Sequence, residues 1–475
     1  MRKILLVPFM LFLCASIAQS QSFDAFISRV NGLPENQKQA VTDSFLLAQP
    51  HFPVVENDSV CHFIYTGTAQ TVSIAGDATG WDPGVLLLQK LSGTTLWYTT
   101  VTYPSDARLD YKIVVNTSNW ILDPRNPYTC LGGYGPNSEL RMPLYDYPEE
   151  ADPDAGIAHG QLSDTSFYSV NLANSRTILV YVPAGYSTSG KRYPVIYVHD
   201  GPDYVNLCSA ATIFDNLAHA GRMAEVIGVF IPAVDRTAEY AGNKQQKFTK
   251  FMTEEIVPWI DNRYRTFPDA AHRMVLGASN GGNISLWLGM SHPEIFGLVA
   301  AQSSNVQEEI QNGFQNDPKR DLSLYIDIGR YDIDVLKPLV ENLKNTLQQK
   351  GYNYKYQLNN DGHSWGNWKS HLKGALEFLM PPKTGTEDKP GGKFNINIIQ
   401  DQDGRFRLIP DKSIYSGLKV GLFDLKGACK SEQTYAGTIP GGQPLWFYSD
   451  SLTDGVYFFR FSSTEFAFSR KIGLN

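Results

Sequence analysis

Short runs of apolar residues dominate the chain, and their spacing changes along its length. From about Pro53 to Pro148, apolar and polar positions alternate in short stretches such as TVSIAG and RLDYKIVV, which are separated by turn residues. This pattern predicts a sandwich of short β-strands. Between Ile157 and Pro382, continuous apolar runs such as PVIYVHD and VIGVFIPAV alternate with stretches of helical spacing. That alternation predicts an α/β domain, 157–382, with a mostly parallel sheet and helices on both faces.

The segments around these two domains complete the predicted plan. Residues 1–20 contain two basic residues, then an apolar run, then a small-x-small cleavage pattern. This order indicates a secretory signal peptide. Residues 23–47 have helical spacing and belong to a first domain at 21–150. The Pro- and Gly-rich string PPKTGTEDKPGG predicts a linker at 383–393. Residues 394–475 again show strand patterns and predict a small C-terminal β-sandwich.

The string RMVLGASNGGNISLWLGM contains a G-x-S-x-G motif between two predicted elements. A strand is predicted at Arg273–Gly277 and a helix at Asn283–Met290, which places Ser279 on the turn between them. In a nucleophile elbow the residues around the serine must be small, because the strand and the helix nearly touch. The flanking residues here are glycines and one alanine. Ser279 is therefore the predicted nucleophile, against the alternative of a glycine-rich turn with an incidental serine.

Hydrolases of this class carry an acid and then a histidine after the serine in chain order. Asp332 follows the predicted strand in LSLYIDIGRYD at its carboxyl end, where open α/β sheets place functional groups, and Asp334 is the competing acid. His363 lies on a loop after the last predicted strand, YKYQL. We expect His363 to accept the proton of Ser279, and Asp332 to orient the imidazole.

Two backbone N–H groups are expected to stabilise the oxyanion that forms when Ser279 attacks a carbonyl. One belongs to Asn280, at the start of the following helix. The other is expected from the loop after PVIYVHD, which continues as Gly201-Pro202-Asp203. Because proline has no N–H, the donor in this loop is either Gly201 or Asp203.

Composition narrows the class of function. Charged residues make up 19% of the chain and aromatic residues 12%, values that indicate folded protein, and a formal net charge of −7 gives no basic surface for nucleic acid. The sequence shows no metal-ligand spacing and no phosphate-binding loop, so no metal and no cofactor are expected. After the signal, no apolar stretch is long enough for membrane insertion. Cys61 and Cys130 in the first domain either form a disulfide or remain free thiols.

Six motifs occur in the order found in one bacterial esterase family: YVHDGPDY, VDRTAEY, EEIVPWIDNRYR, VLGASNGG, DIGRYD and DGHSWGNW. Residues 24–382 resemble this family, which groups enterochelin (siderophore) esterases with feruloyl and related carbohydrate esterases and implies an α/β-hydrolase fold. Trp365 and Trp368 in the last motif form either an aromatic wall for an acyl ring or part of the core. Arg236 and Glu239 in the second motif either support the substrate loop or form a surface ion pair.

The two flanking domains also resemble known modules. VSIAGDATGWDP, LDYKIVVNTSNWILDPRNP and LGGYGPNSE make the first domain similar to the immunoglobulin-like family 48 carbohydrate-binding modules. The resemblance implies a sugar-binding set of Trp81, Lys112, Trp120 and Asn137, although in many such esterases the module serves only for packing. The last domain resembles the sorting domain of type IX secretion substrates, which implies export across the outer membrane of a Gram-negative cell.

These features together favour a secreted serine carboxylic-ester hydrolase that acts on acyl esters of polysaccharide, with feruloyl esters of arabinoxylan as the expected substrate. We expect the protein outside the cell, at the cell surface or in the periplasm of a Gram-negative bacterium. One alternative is a trilactone siderophore esterase, whose pocket needs basic residues for an anionic catecholate–iron substrate. Another is a carbohydrate-binding surface protein with an inactive hydrolase domain. Acyl transfer to a sugar also remains open, since any alcohol can resolve an acyl-enzyme.

Overall fold

The computed structural model describes residues 22–382 and most of the C-terminal part, namely residues 396–400, 405–410, 414, 417–436, 439, 443–449, 452–453, 455–463 and 467–474. The predicted signal at 1–20 and the predicted linker at 383–393 lie outside the described residues. The chain divides into two compact units, Met1–Pro381 and Pro382–Asn475.

The described part of the larger unit starts with two helices and a β-sandwich. Its elements are α1 (Phe23–Asn31), α2 (Glu35–Ala48), β1 (Val54–Glu56), β2 (Val60–Thr66), β3 (Val72–Gly76), β4 (Leu86–Leu87), β5 (Gln89–Lys90), β6 (Leu96–Thr102), β7 (Arg108–Val115), β8 (Asn119–Ile121), β9 (Thr129–Gly132) and β10 (Gly135–Arg141). One sheet has the order β1-β2-β6-β5 and the other β4-β3-β7-β10-β9, with β8 beside β7. Phe63 of the first sheet shares a core with Ile74 and Leu109 of the second, so the sheets pack face to face.

Two details of this region refine the sequence-based expectations. The predicted helical stretch at 23–47 is two helices, because Gly32 ends α1 and Pro34 stands immediately before α2. Cys61 and Cys130 are both buried free thiols, so of the two alternatives the structure shows the unpaired one. Burial raises the pKa of the Cys130 thiol to about 11.

The α/β domain has an eight-stranded sheet. Its strands are β11 (Gln161–Ser169), β12 (Asn174–Val182), β13 (Val195–His199), β14 (Ile227–Ile231), β15 (Arg273–Ala278), β16 (Leu298–Gln302), β17 (Ser323–Tyr331) and β18 (Asn353–Gly362). They follow the order β11-β12-β14-β13-β15-β16-β17-β18. Every pair from β14 to β18 is parallel, and only the edge pairs with β12 are antiparallel. The strand order therefore reverses direction between β13 and β15, which is the topological switch point of the sheet.

Helices cover both faces of this sheet. They are α3 (Gly201–Asn206), α4 (Ala210–His219), α5 (Arg236–Ala241), α6 (Gln245–Lys250), α7 (Val257–Arg263), α8 (Asn280–Ser291), α9 (Glu308–Asn316), α10 (Leu336–Gln349) and α11 (Trp365–Leu379), with a π-helical segment at Phe251–Ile256 and a 3-10 turn at Ala270–His272. Two further 3-10 turns lie earlier in the chain, at Asp77–Thr79 after β3 of the sandwich and at Glu149–Ala151 between the two domains. Alternate residues of β13 enter opposite cores. Tyr197 packs in the core that contains Leu288 of α8, whereas Val198 packs in the core that contains Leu372 of α11. The predicted layered α/β architecture is present.

The described residues of the smaller unit form seven strands and their connections. The strands are β19 (Ile396–Gln400), β20 (Arg405–Pro410), β21 (Leu418–Asp424), β22 (Cys429–Tyr435), β23 (Leu445–Tyr448), β24 (Gly455–Ser462) and β25 (Ala467–Leu474). One sheet has the order β19-β20-β23 and the other β22-β21-β24-β25. Phe406 of the first and Phe459 of the second belong to one apolar core. Across both units, the helices that the structure describes include none that is long and apolar enough to cross a membrane.

Candidate active site

Ser279 occupies a strained turn between β15 and α8. Its backbone angles are φ 57° and ψ −120°, a positive-φ conformation that costs a non-glycine residue about 1–3 kcal/mol. The surrounding backbone holds it there. The N–H of Ser279 donates to the carbonyl of Gln302 at 2.9 Å, and its carbonyl accepts from Asn283 at 3.0 Å and Asn305 at 3.2 Å. The strain is therefore imposed by the fold and presents the serine side chain beyond the end of the strand.

The glycines around Ser279 are required by close backbone approach. A Cβ atom on Gly277 would lie 2.4 Å from the carbonyl carbon and oxygen of Gly281. One on Gly281 would lie 3.0 Å from Oδ2 of Asp200, and one on Gly282 would lie 3.0 Å from Cβ of Ser304. The residues that flank Ser279 are small because the strand and the helix are in contact at these positions.

Asp332 and His363 meet at the carboxyl ends of two adjacent parallel strands. Asp332 follows β17, His363 follows β18, and Nδ1 of His363 lies 2.7 Å from Oδ1 of Asp332. The Asp332 carboxylate is buried and also accepts the N–H of Ile333 at 2.7 Å. Asp334, the competing acid, has a 93% exposed side chain and pairs with Lys337 at 2.7 Å. Of the two candidate acids, Asp332 is thus the one in contact with the histidine.

Ser279, Asp332 and His363 line a single cleft of about 1060 Å³. The first domain contributes the other predicted set to the same cleft, namely Trp81, Lys112, Trp120 and Asn137. Trp120 is 41% exposed, whereas Trp81 is half-buried and its indole N–H donates to Asp77 at 3.3 Å. Within residues 22–382, the structure records no hydrogen bond from Oγ of Ser279 to His363, and catalytic hydrogen bonds often tighten only when substrate binds.

Trp365 and Trp368 lie between the cleft and the core of the α/β domain. Both line the cleft. Trp368 is only 6% exposed and packs in the core beneath it, with its ring edge-to-face at 5.1 Å from the imidazole of His363. Trp365 is half-buried and stands edge-to-face at 4.7 Å from Trp368 and at 5.4 Å from Tyr204. Trp368 therefore packs against one side of the imidazole, and Trp365 adds a second aromatic ring to the wall of the cleft.

The candidate oxyanion donors are not equivalent. The N–H of Asp203 already donates to the carbonyl of Asp200 at 3.0 Å, as part of the first turn of α3. Of the two alternatives in this loop, the structure favours Gly201 over Asp203, because a backbone donor engaged in a turn is unavailable to substrate. In the part of the chain that the structure describes, no acceptor is recorded for the N–H of Gly201 or of Asn280. Asn280 also begins α8, where the helix dipole favours negative charge.

An ion pair that the sequence did not reveal supports the elbow. Arg236 donates to both carboxylate oxygens of Asp200 at 2.8 to 3.0 Å and to the carbonyl of Ala278 at 3.1 Å. The suggested surface pairing of Arg236 with Glu239 is wrong, because Glu239 is buried and pairs with Arg176 at 3.1 Å. Burial raises the pKa of Asp200, and the Arg236 guanidinium opposes that shift. Both residues lie in conspicuous motifs, but nothing in the sequence shows that they are partners.

The cleft carries no excess of positive charge. Nine charged side chains line it, four basic and five acidic, namely Lys112, Arg236, Arg330, Lys337, Asp77, Asp110, Asp203, Asp332 and Asp334. Burial also raises the pKa of Asp77 and, to a smaller extent, that of Asp203. Among the described residues, no group of His, Cys, Asp and Glu side chains is arranged to hold a metal ion.

Comparison with known proteins places this site in a family. Residues 169–379 match the model of the family described as "Putative esterase". This part of the chain belongs to the esterase family. The esterase is 28% identical over 238 residues to the uncharacterized protein YjcH of Bacillus subtilis, an alignment that covers 47% of this chain and 98% of YjcH.

A second relative is matched over less than half of its own length. An endo-1,4-beta-xylanase/feruloyl esterase of Xylanibacter ruminicola is 25% identical over 295 residues, which cover 58% of this chain and 39% of that protein. Among solved structures, the enterobactin esterase of Shigella flexneri superposes with a TM-score of 0.60 at 20% identity, covering 71% of this chain and 97% of that one. This likeness confirms the predicted α/β-hydrolase fold. The family identifies the protein as a carboxylic-ester hydrolase.

Proposed function

We propose that the protein is a serine esterase that removes acyl groups from polysaccharide, with feruloyl esters of arabinoxylan as its substrate. The observation that carries this proposal is the composition of one cleft. It is lined both by the candidate catalytic residues Ser279, Asp332 and His363 and by the aromatic residues Trp81 and Trp120 of the β-sandwich. A cleft of this kind brings an ester carbonyl to the serine while the attached sugar chain rests on aromatic faces.

The proposed reaction follows from the positions of the side chains. Oγ of Ser279 attacks the ester carbonyl while Nε2 of His363 accepts its proton, and the N–H groups of Asn280 and Gly201 stabilise the oxyanion. Asp332 holds the Nδ1–H of His363 and stabilises the imidazolium that forms. The imidazolium then protonates the departing alcohol, which leaves an acyl-enzyme. Water, activated by the same imidazole, attacks the acyl carbon and releases the acid and the free serine.

The charge of the cleft supports a neutral acylated sugar over a siderophore. An iron–catecholate substrate is anionic and needs a basic lining. Here the basic side chains do not exceed the acidic ones in number, and two of them have carboxylate partners. Arg236 pairs with Asp200, and Lys337 pairs with Asp334. The relative from Xylanibacter ruminicola, which carries xylanase and feruloyl esterase in its name, points to the same substrate class. Trp365 beside His363 supplies an aromatic surface for the feruloyl ring.

A substrate comparison tests the proposal. Purified protein is assayed with feruloylated arabinoxylan, acetylated xylan, methyl ferulate and a catecholate trilactone, beside a Ser279→Ala variant and a Ser291→Ala control at the far end of the same helix. We expect the highest kcat/KM on the feruloylated polymer, wild-type rates for Ser291→Ala, and loss of nearly all turnover for Ser279→Ala. Preference for the trilactone contradicts the proposed substrate. Absence of hydrolysis on every ester indicates an inactive surface protein. Formation of a new feruloyl ester on an added sugar acceptor indicates acyl transfer.

We further propose that the protein acts outside the cytoplasm of a Gram-negative cell. The basic residues, apolar run and small-x-small pattern of residues 1–20 support export, and a polymer substrate requires it. Fractionation of the producing cells with N-terminal sequencing of the mature protein tests this point. We expect a mature chain that begins near residue 21, in the periplasm, at the surface or in the medium. Intact residues 1–20 on a cytoplasmic protein contradict the proposal.

A further inference from the structure

A buried arginine of the β-sandwich lies against the segment that carries His363. Arg108, in β7, is 1% exposed. Its Nε donates to Glu139 at 2.7 Å and its Nη2 to Asp110, both within the sandwich. Its Nη1 points into the α/β domain, where it donates to Oγ of Ser364 at 3.0 Å and to Oδ1 of Asp361 at 3.4 Å. One guanidinium therefore joins the sandwich to residues one and two positions from His363.

Other residues of the sandwich contact the same segment. Asn360 donates to the carboxylate of Asp106 at 2.7 Å. A Cβ atom on Gly362 would lie 2.1 Å from Cγ of Asp77, and one on Gly366 would lie 2.0 Å from the guanidinium carbon of Arg108. Both positions are thus glycine because sandwich side chains fill the space. The backbone on each side of His363 is enclosed by the first domain.

The chemistry of this contact suits arginine alone. A guanidinium presents five donors in a rigid plane, so it can bond carboxylates of one domain and a hydroxyl of the other at the same time. Burying the charge is tolerated because the surrounding carboxylates compensate it. Burial raises the pKa of Asp361 to about 7, and the Arg108 guanidinium opposes that shift. Ser364 in turn caps α11 by accepting the N–H of Asn367 at 3.4 Å.

We infer that Arg108 is a positioning residue for catalysis: it fixes the Asp361–Ser364 segment so that His363 faces both Asp332 and Ser279. The β-sandwich is then part of the catalytic machinery as well as a wall of the cleft. This inference rests on the proposed role of His363 as the base. It concerns proton transfer, so it predicts an effect on kcat and little effect on KM for a small ester that does not reach the sandwich.

The test compares two buried arginines in the full-length protein. Arg108→Lys keeps the charge and loses the planar fork. Arg273→Lys makes the same change at the start of β15, where Arg273 is buried and pairs with Asp261, away from the strand end that carries Ser279. With methyl ferulate, we expect Arg108→Lys to lower kcat on the order of tenfold to a hundredfold, since a displacement of about 1 Å can have that effect. KM should change less than about threefold. Arg273→Lys should keep wild-type kcat.

A second pair of variants covers the case in which Arg108→Lys does not fold. Ser364→Ala removes the hydroxyl that accepts from Arg108, and Ser364→Thr retains one. We expect Ser364→Ala to lower kcat and Ser364→Thr to recover most of it. The low-field NMR signal of the hydrogen-bonded Nδ1 proton of His363 provides a readout independent of turnover. It should broaden or shift in Arg108→Lys and Ser364→Ala, and stay in place in Arg273→Lys and Ser364→Thr.

The outcomes separate this inference from the proposed function. If His363→Ala retains turnover, the assignment of the base fails and the inference fails with it. If His363→Ala is inactive while folded Arg108→Lys and Ser364→Ala keep wild-type kcat and an unchanged imidazole signal, only the positioning role is overturned. A fall in kcat that merely matches the fraction of unfolded protein likewise overturns it.

Discussion

Nδ1 of His363 lies 2.7 Å from Oδ1 of Asp332, although 31 residues separate them along the chain. The pair exists because β17 and β18 are adjacent and parallel, so that the residues after both strands emerge at the same edge of the sheet. A carboxylate in this position selects the tautomer that leaves Nε2 free to accept a proton. The arrangement gives the first prediction, which distinguishes the two candidate acids.

Asp332→Asn should lower kcat by a factor on the order of 10⁴, which is the loss that the same change causes in the triad of a serine protease. The amide favours the wrong imidazole tautomer without altering the shape of the site. Asp334→Asn is the matched control, because Asp334 is exposed and its partner is Lys337. The measurement is kcat for methyl ferulate in both variants. A severe loss in Asp334→Asn together with a mild one in Asp332→Asn would transfer the role of the acid to Asp334.

The contact between Gly277 and Gly281 gives a prediction about stability. Gly277→Ala brings a Cβ atom to 2.4 Å from backbone atoms of Gly281, a clash that side-chain rotation cannot relieve. We expect loss of soluble folded protein, or a decrease in the free energy of unfolding of more than about 3 kcal/mol. Gly190→Ala is the control, because no atom lies within 4 Å of its added Cβ. Urea unfolding of both variants is the measurement, and equal midpoints would show that the elbow is less tightly packed than described.

The aromatic residues of the sandwich give a prediction about polymer binding. Trp120 is 41% exposed, so Trp120→Ala should leave the melting temperature nearly unchanged while weakening binding to insoluble feruloylated xylan by about 1 kcal/mol. Trp81 is half-buried, so Trp81→Ala should also lower stability. Activity on methyl ferulate should be retained in Trp120→Ala.

Trp446→Ala serves as the control for that experiment, because Trp446 is 42% exposed and lies in the C-terminal unit. Its replacement should not change polymer binding. A polysaccharide pull-down beside a melting curve decides the matter. Unchanged retention of Trp120→Ala on xylan, or a large decrease in its melting temperature, would reject Trp120 as a sugar contact.

A buried carboxyl in the middle of β17 gives a prediction about pH. Burial raises the pKa of Asp327 to about 7, against an ordinary value of 3.8. Between pH 4 and pH 7 the folded state therefore binds a proton that the unfolded state lacks, and stability decreases as the pH rises. The full difference, reached above pH 7, is about 4 kcal/mol.

Asp327→Asn removes this titration. Relative to wild type, the variant should gain stability progressively from pH 4 to pH 8, as measured by urea unfolding at several pH values. The exposed Asp164, replaced by asparagine, provides the control and should run parallel to wild type. The quantity to compare is the difference in unfolding free energy between variant and wild type. Burial lowers the pKa values of His199 and His371 to about 3, so these two residues make stability rise with pH in every variant alike. Parallel curves for wild type and Asp327→Asn would contradict the prediction.

Local patterns were sufficient to predict the elements that carry the candidate site. The strand, turn and helix around Ser279 follow from short-range spacing, and the observed β15 and α8 differ from the predicted bounds by at most three residues. The α/β-hydrolase fold followed from alternation of element types. Prediction was weaker where a helix ends because of a local feature, as at Gly32 between α1 and α2.

Contacts between distant residues were not predictable in the same way. Arg108 and Ser364 are 256 positions apart, and no periodicity or motif relates them. The pairing of Arg236 with Asp200 was unpredictable for the same reason. Each residue lies in a motif, but the two become partners only because α5 packs near the end of β13. Whether the N–H of Asp203 is free to bind substrate depends on the turn that begins α3, in which it donates to the carbonyl of Asp200. Side-chain partners and backbone donors of this kind arise only once the sheet order is known.

Chemical labelling identifies the nucleophile of the proposed reaction without relying on substituted variants. Wild-type protein is treated with a fluorophosphonate, which reacts with activated serines, and the modified residue is located by peptide mass spectrometry. We predict a single phosphonate adduct, on Ser279, because His363 activates that hydroxyl alone. The esterase activity should fall in proportion to the fraction of Ser279 that is labelled, and should be lost when labelling is complete. Modification of a different serine, or loss of activity while Ser279 remains unmodified, would exclude Ser279 as the nucleophile.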